Sequence, residues 1–248
     1  MTKSQSLKEP ASLIDMCRKH AVALFVDFDG TMVEIAAGPD DISVPPNLAQ
    51  ALEALAARMD NRLAVISGRS LLDIKRHLGT PAIARAGSHG AELVSSDGSL
   101  LGPQPLELPR QALDALAEYA REEGLRFEAK THGGALHYRS NPERGSDALS
   151  FATDISNSYG LAIKTGKCVV EVVQKGANKG NAVRAFMQTA TFAGATPIFI
   201  GDDVTDEDGF TACEELGGFG ICVGNRDGTA AEYSVPNVEG VYEWLELF

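Results

Sequence analysis

An α/β fold with a parallel sheet, interrupted by a small α+β insert, is what the sequence predicts, and three observations lead to it. Short apolar runs alternate with segments of helical spacing in both the first hundred and the last seventy residues. Three of those runs, at 21–26, 63–66 and 197–200, end in polar residues, as strands do where an open parallel sheet meets its ligand crevice. Between the flanks, the order helix, strand, strand occurs twice, which suggests one antiparallel sheet with its own helices.

Taken in order, Leu13 to His20 reads as an opening helix, with Ser12 placed to cap it. The apolar run Ala21 to Val26 is the first strand. Pro45 and Pro46 precede Leu48, Leu52, Leu55 and Met59, a helix with proline at its start and a core-facing stripe. Leu63 to Ile66 is a second strand, Leu71 to Leu78 a helix, and Ile83 to Ala86 a short third strand. The run Gly102-Pro103-Gln104-Pro105 marks a linker. Helices are expected near 110–123 and 143–159, each followed by two strands: 125–130 with 135–139, and 162–165 with 169–173. The α/β rhythm then resumes with a helix opened by Lys179, a strand Pro197 to Ile200, a helix near 207–215, a strand Gly220 to Val223 and a last helix near 241–247. The expected organisation is a core of 1–103 and 176–248 around an insert of 104–175.

With 248 residues, the chain is long enough for two modest domains with ample core. A net charge of −12 argues against nucleic acid and anionic membranes as partners, because both require a basic footprint. No apolar stretch approaches the roughly 20 residues of a membrane span, and Met1 to Pro10 lacks an apolar signal core. The four cysteines (Cys17, Cys168, Cys213 and Cys222) show no metal-binding spacing. A cytoplasmic chain, acting as a monomer on a small molecule, is the expectation.

The chemistry is concentrated at the strand ends. Val26-Asp27-Phe28-Asp29-Gly30-Thr31-Met32 puts two carboxylates at the end of a buried strand, where unpaired acids are expensive to desolvate, so a cation is required. Ser67-Gly68-Arg69 ends the second strand, and Gly201-Asp202-Asp203 ends the strand at 197–200. Lys179 follows Asn178 at a helix start, where backbone amides and the helix dipole favour an anion. Together these supply a nucleophilic carboxylate, a second carboxylate for proton transfer, metal ligands, and a hydroxyl with an ammonium for phosphate oxygens. Phosphoryl transfer is mainly positioning and charge neutralisation, and this set suits it.

In this order the motifs resemble the haloacid-dehalogenase (HAD) superfamily: Asp27 to Thr31, Ser67 to Arg69, Lys179, and Gly201-Asp202-Asp203 with Thr205 and Asp206. The resemblance implies an HAD-like Rossmannoid core, with the insert as that superfamily's cap of the second type (C2). Four further segments are similar to the bacterial trehalose-6-phosphate phosphatases: Gly87-Ser88-His89-Gly90-Ala91-Glu92, Ala135-Leu136-His137-Tyr138-Arg139, Lys167-Cys168-Val169-Val170-Glu171 and Gly201 to Glu207.

That resemblance implies Mg²⁺-dependent hydrolysis of trehalose 6-phosphate. Asp27 would attack phosphorus to form an aspartyl-phosphate, and Asp29 would protonate the leaving sugar oxygen and then activate water. The Asp27 carboxylate, the Asp29 backbone carbonyl and Asp202 would hold Mg²⁺. Ser67 and Lys179 would hold phosphate oxygens, with Gly30, Gly68 and Arg69 among the substrate-binding positions, although Arg69 could instead pair with carboxylates of the core or cap, and Asp203 and Asp206 would support the metal shell or Lys179. Glu128, Lys130 and Glu171 match positions that grip sugar hydroxyls, and the cap is expected to close on substrate. Sucrose phosphate and mannosylglycerate phosphate are the rival substrates within the superfamily. A non-catalytic sugar-phosphate-binding regulator is the rival outside it, against which the intact Asp27, Asp29, Lys179 and Asp202 argue. Thr205 to Asp208 also has the spacing of a helix-capping box, so Glu207 and Asp208 are assigned mainly to the helix start. His89 is read as shaping a turn and His137 as packing near the insert's surface.

Overall fold

The computed structural model describes residues 7–36, 38, 40–103, 106–130, 132–166 and 168–248. The first six residues, Gln104 and Pro105 of the expected linker, Thr131, and Lys167 of one motif lie outside the described residues. The chain forms two compact units, one of Met1–Gly102 with Asn178–Phe248 and one of Pro103–Ala177.

The first unit begins with α1 (Leu13–Lys19), β1 (Val22–Val26), α2 (Leu48–Arg58), β2 (Leu63–Ile66), α3 (Leu71–Leu78), β3 (Ala84–Gly87) and β4 (Glu92–Val94). The second unit contributes α4 (Arg110–Glu122), β5 (Arg126–Lys130), β6 (Gly133–His137), α5 (Gly145–Tyr159), β7 (Ala162–Gly166) and β8 (Val169–Val173). The chain then completes the first unit with α6 (Lys179–Met187), β9 (Thr196–Gly201), α7 (Glu207–Glu215), β10 (Phe219–Val223), β11 (Tyr233–Val235) and α8 (Val238–Leu245).

In the first unit the strand order is β11-β10-β9-β1-β2-β3-β4, with every pairing parallel except β3 with β4. All five residues of β1 and all four of β2 are buried, because helices cover both faces of the sheet. Val22, Leu24 and Val26 pack with apolar residues of α1, α2, α3 and α8, while Ala23 and Phe25 pack with those of α6 and α7. This alternation explains why the strands read as continuous apolar runs. β1 lies between β9 and β2, so the chain order reverses beside it, and in open sheets that is where ligands bind.

The second unit is a four-stranded antiparallel sheet, β5-β6-β8-β7. One face packs on α4 and α5 through Leu116, Leu136, Ala148, Ala152, Val170 and Val172. The register aligns Glu128, Ala135, Glu171 and Lys164 across all four strands on the opposite face. Gly133 and Gly134, which lie between the strands expected at 125–130 and 135–139, begin β6. A Cβ on Gly134 would stand 3.1 Å from Leu113, Leu116 and Phe127, whose side chains fill the space that glycine leaves.

Candidate active site

Asp27 follows β1 directly. Its backbone N–H donates to the Ile200 carbonyl of β9 at 2.9 Å, extending the parallel ladder by one residue and fixing the carboxylate at the strand end. Gly30 then turns the chain at φ +79°, and a Cβ there would fall 2.2 Å from an Asp202 carboxylate oxygen. Only glycine lets the two loops approach this closely. The Thr31 hydroxyl donates to Asp202 Oδ1 at 3.4 Å. Ser67, fully buried after β2, donates its N–H to the Ala86 carbonyl of β3, and its hydroxyl accepts from the Arg69 N–H at 3.1 Å.

Lys179 opens α6 behind the Asn178 cap, whose side chain accepts from the Asn181 N–H at 2.6 Å. Its ammonium lies 2.7 Å from Asp27 Oδ1 and 2.6 Å from Asp206 Oδ1, with all three side chains buried. The other Asp206 oxygen accepts the Asp203 N–H at 2.8 Å. Both Asp206 oxygens are therefore committed within the fold, so it supports Lys179 and the loop. Carboxylate oxygens of Asp27, Asp202 and Asp206 all lie within 4.8 Å of one another. Burial, and next the Asp206 charge, push the Asp27 carboxyl well above its ordinary range despite Lys179. Burial, with Asp206 adding to it, pushes Asp202 up to about 7. Burial works against the Lys179 charge, but Asp206 and Asp27 outweigh it and hold the ammonium above its usual range. This set of oxygens lacks positive charge, which is the condition a hard divalent cation relieves. Asp27 and Asp202 therefore fit Mg²⁺ as carboxylate ligands.

Asp29 is half-exposed and engaged elsewhere. Both its oxygens accept from the Arg69 guanidinium at 2.7 Å, and Arg69 also donates to Asp73 at 2.9 Å. Arg226, which carries no signal in sequence, donates to the Asp202 backbone carbonyl at 3.1 Å and pairs with Glu207, whose other oxygen accepts the Ala230 N–H at 2.7 Å. Glu207 thus ties two loops together besides opening α7. The capping box forms two residues earlier than the spacing suggests, between Asp203 and Asp206, because Lys179 holds Asp206 inward.

Asp27, Asp29, Gly30, Ser67, Gly68, Arg69, Lys179 and Asp202 thus gather at the carboxyl ends of β1, β2 and β9 and the start of α6. Within the second unit, Glu128, Lys130 and Glu171 lie on the face opposite α4 and α5. Lys130 pairs with Glu171, and His137 lies 2.7 Å from Glu128. The His132 ring is buried, 3.3 Å from the Leu106 carbonyl.

The family model for trehalose-phosphatase matches residues 25–238. The chain is 38% identical over 231 residues to the trehalose-6-phosphate phosphatase of Escherichia coli, covering 91% of this chain and 85% of that one. It is 37% identical over 224 residues to a probable trehalose-phosphate phosphatase of Sinorhizobium fredii, covering 88% and 84%. In three dimensions it resembles the C-terminal domain of the C. albicans trehalose-6-phosphate phosphatase, with a TM-score of 0.82 at 21% identity over 99% of this chain and 98% of that one. A haloacid dehalogenase-like hydrolase from Bacteroides thetaiotaomicron shares the fold at a TM-score of 0.65 and 15% identity, over 92% and 98% of the two chains. The chain belongs to the trehalose-phosphatase family, a family of phosphoric monoester hydrolases.

Proposed function

We propose that the protein hydrolyses trehalose 6-phosphate to trehalose and phosphate, with Mg²⁺ as cofactor and an aspartyl-phosphate on Asp27 as intermediate. The observation that carries this reading is the buried Asp27–Lys179 pair at the end of β1, in a chain matched by the trehalose-phosphatase model over 25–238. Mg²⁺, held by the Asp27 and Asp202 carboxylates and the Asp29 carbonyl, supplies charge neutralisation for the phosphate.

The chain's own groups then account for the chemistry. Ser67 and Lys179 hold the non-bridging phosphate oxygens. Asp27 attacks phosphorus as the bond to the sugar oxygen breaks, and Asp29 delivers a proton to that oxygen. Asp29 next takes a proton from water, which attacks the aspartyl-phosphate, restoring Asp27 and releasing phosphate. Arg69 donates one hydrogen bond to each Asp29 oxygen, which fixes the carboxylate's orientation while leaving each oxygen a second lone pair for proton transfer. Glu128, Lys130 and Glu171 are proposed to hydrogen-bond the sugar hydroxyls, because a sugar offers little apolar area and is discriminated by its polar groups.

The same reading keeps the protein in the cytoplasm, acting as a single chain on a small molecule. Among the described residues no helix is long and apolar enough to cross a membrane. The test is phosphate release from trehalose 6-phosphate, sucrose phosphate, mannosylglycerate phosphate and glucose 6-phosphate, with Mg²⁺ and with EDTA. Mg²⁺-dependent release fastest from trehalose 6-phosphate is expected. Release from none of them, or a faster rate on a rival, would overturn the assignment.

A further inference from the structure

The segment Ser88-His89-Gly90 is strained and sits against two elements of the candidate site. Ser88 and His89 have φ of +49° and +57°, and Gly90 follows at +96°. Two adjacent side-chain-bearing residues in the left-handed region carry a conformational cost, which persists only where surroundings over-determine it and which collects at functional sites. The surroundings here are specific. The His89 N–H donates to the Ser67 carbonyl at 2.9 Å, and the Ser88 N–H donates to the Arg69 carbonyl at 2.7 Å. The Ser88 hydroxyl and the Leu71 N–H both donate to the same Glu92 oxygen, at 3.0 and 3.2 Å. The buried His89 imidazole lies on Gly68, where a Cβ would stand 2.6 Å from the ring. On the other side, a Cβ on Gly90 would stand 2.7 Å from the Asn178 carbonyl, so the turn also abuts the first residues of α6.

We propose that the left-handed turn 88–90 positions the phosphate-holding groups, with the His89 imidazole as a wedge that sets the 67–69 loop at the distance from the α6 N-terminus that phosphate requires. His89 is a positioning residue: it acts through Gly68 and Ser67. The proposal rests on the reading of Ser67 and Lys179 as phosphate-holding groups. It explains why position 89 holds a side chain where a glycine would relieve its part of the strain: the ring is needed at Gly68.

The test uses inorganic phosphate as the probe, by calorimetry on the whole protein in MgCl₂, together with thermal melting. His89→Gly relieves the backbone and removes the ring. The expected result is phosphate affinity about tenfold weaker, since small misplacements of positioned groups are costly, while the melting temperature reads the relieved backbone strain against the space the ring vacates. Gly68→Ala places a methyl against the ring and should also weaken phosphate. In the double variant the methyl enters the space the ring vacates, so the two losses should add to less than their sum. Unchanged phosphate affinity in His89→Gly would overturn the proposal, as would a lowered melting temperature with affinity retained, or strictly additive losses. Because the probe is phosphate, the wedge stands or falls separately from turnover of trehalose 6-phosphate, which is measured on the same samples.

Discussion

Replacing Lys179 by methionine tests the electrostatic account of the site most directly. Methionine keeps the stem and much of the volume, so packing changes little while the charge is lost. The ammonium stands 2.7 Å from Asp27 and 2.6 Å from Asp206, with side-chain exposures of 3%, 5% and 0%. Removing one partner of a buried ion pair costs about 3–5 kcal/mol, because the other charges stay buried without compensation. At roughly 2–4 °C per kcal/mol for a unit of this size, the melting temperature should fall by about 6–20 °C at neutral pH. The sign of the pH dependence follows from the shifts. Lys179, raised above its ordinary 10.5, keeps its contribution until pH exceeds that value and does not titrate between about pH 5 and 8. Asp27 and Asp202 are raised, so stability linked to their protonation is present at low pH and lost as pH rises through their folded values. Without Lys179 they should bind protons still more readily, and the variant's deficit should shrink on acidification. Melting curves for both proteins across that range, with MgCl₂ and with EDTA, read this out. A deficit below about 1 kcal/mol, or one indifferent to both pH and Mg²⁺, would refute the reasoning, since a packing defect alone has neither dependence.

Asp27→Asn should abolish turnover and trapping of a phosphoenzyme, while melting of the metal-free protein is not lowered, because one of three crowded carboxylates becomes neutral; retained hydrolysis would remove Asp27 as nucleophile. The Mg²⁺-induced rise in melting temperature should be larger near pH 8 than near pH 5.5, because Asp202, pushed up to about 7, must shed its proton to bind the ion; an equal rise at both would count against its role as ligand. Lys130→Ala should lower kcat/KM on trehalose 6-phosphate by about 10²-fold while barely affecting a small aryl phosphate, as loss of a sugar-specific contact requires. Equal losses on the two substrates would take Lys130 out of the specificity role.

What could be read from the sequence follows from the range of each signal. The strands β1, β2 and β9 announce themselves because helices bury both their faces, and the residues that follow them, Asp27, Ser67 and Asp202, carry polar side chains to one rim. β4 and β11 escape notice because each has three residues at a sheet edge, with mixed exposure and no apolar run. The start of β6 is hidden by Gly133 and Gly134, which read as a turn until Leu113, Leu116 and Phe127 are known to occupy the missing side-chain space. Within the site, single residues are legible from their place after a strand, whereas their partners are not. Arg69 finds Asp29 from 40 residues away, and Arg226 reaches Asp202 across 24, by loop approaches that have no period and no fixed spacing.

Those partners decide what the site can accept. Asp27, Asp202 and Asp206 face one ammonium, Lys179. Of the arginines that approach among the described residues, Arg69 is already matched to Asp29 and Asp73, and Arg226 to Glu207. A phosphate entering such a cluster brings more negative charge beside Asp27 and Asp202, whose carboxyls burial and Asp206 already push up, within a chain of net charge −12. Lys179 cannot offset all of this alone, since its charge is shared between two acids before any ligand arrives. On the proposed reading, a divalent cation held by Asp27 and Asp202 would reverse the local sign, favour the ionised form of both carboxylates, and so leave Asp27 available as the nucleophile. Cation and phosphate should therefore bind as a coupled pair, each strengthening the other by the same factor. Of the two acids at the end of the buried strand, Asp29 is already matched by Arg69, and Asp27 is the one whose remaining excess of negative charge the proposed cation would relieve.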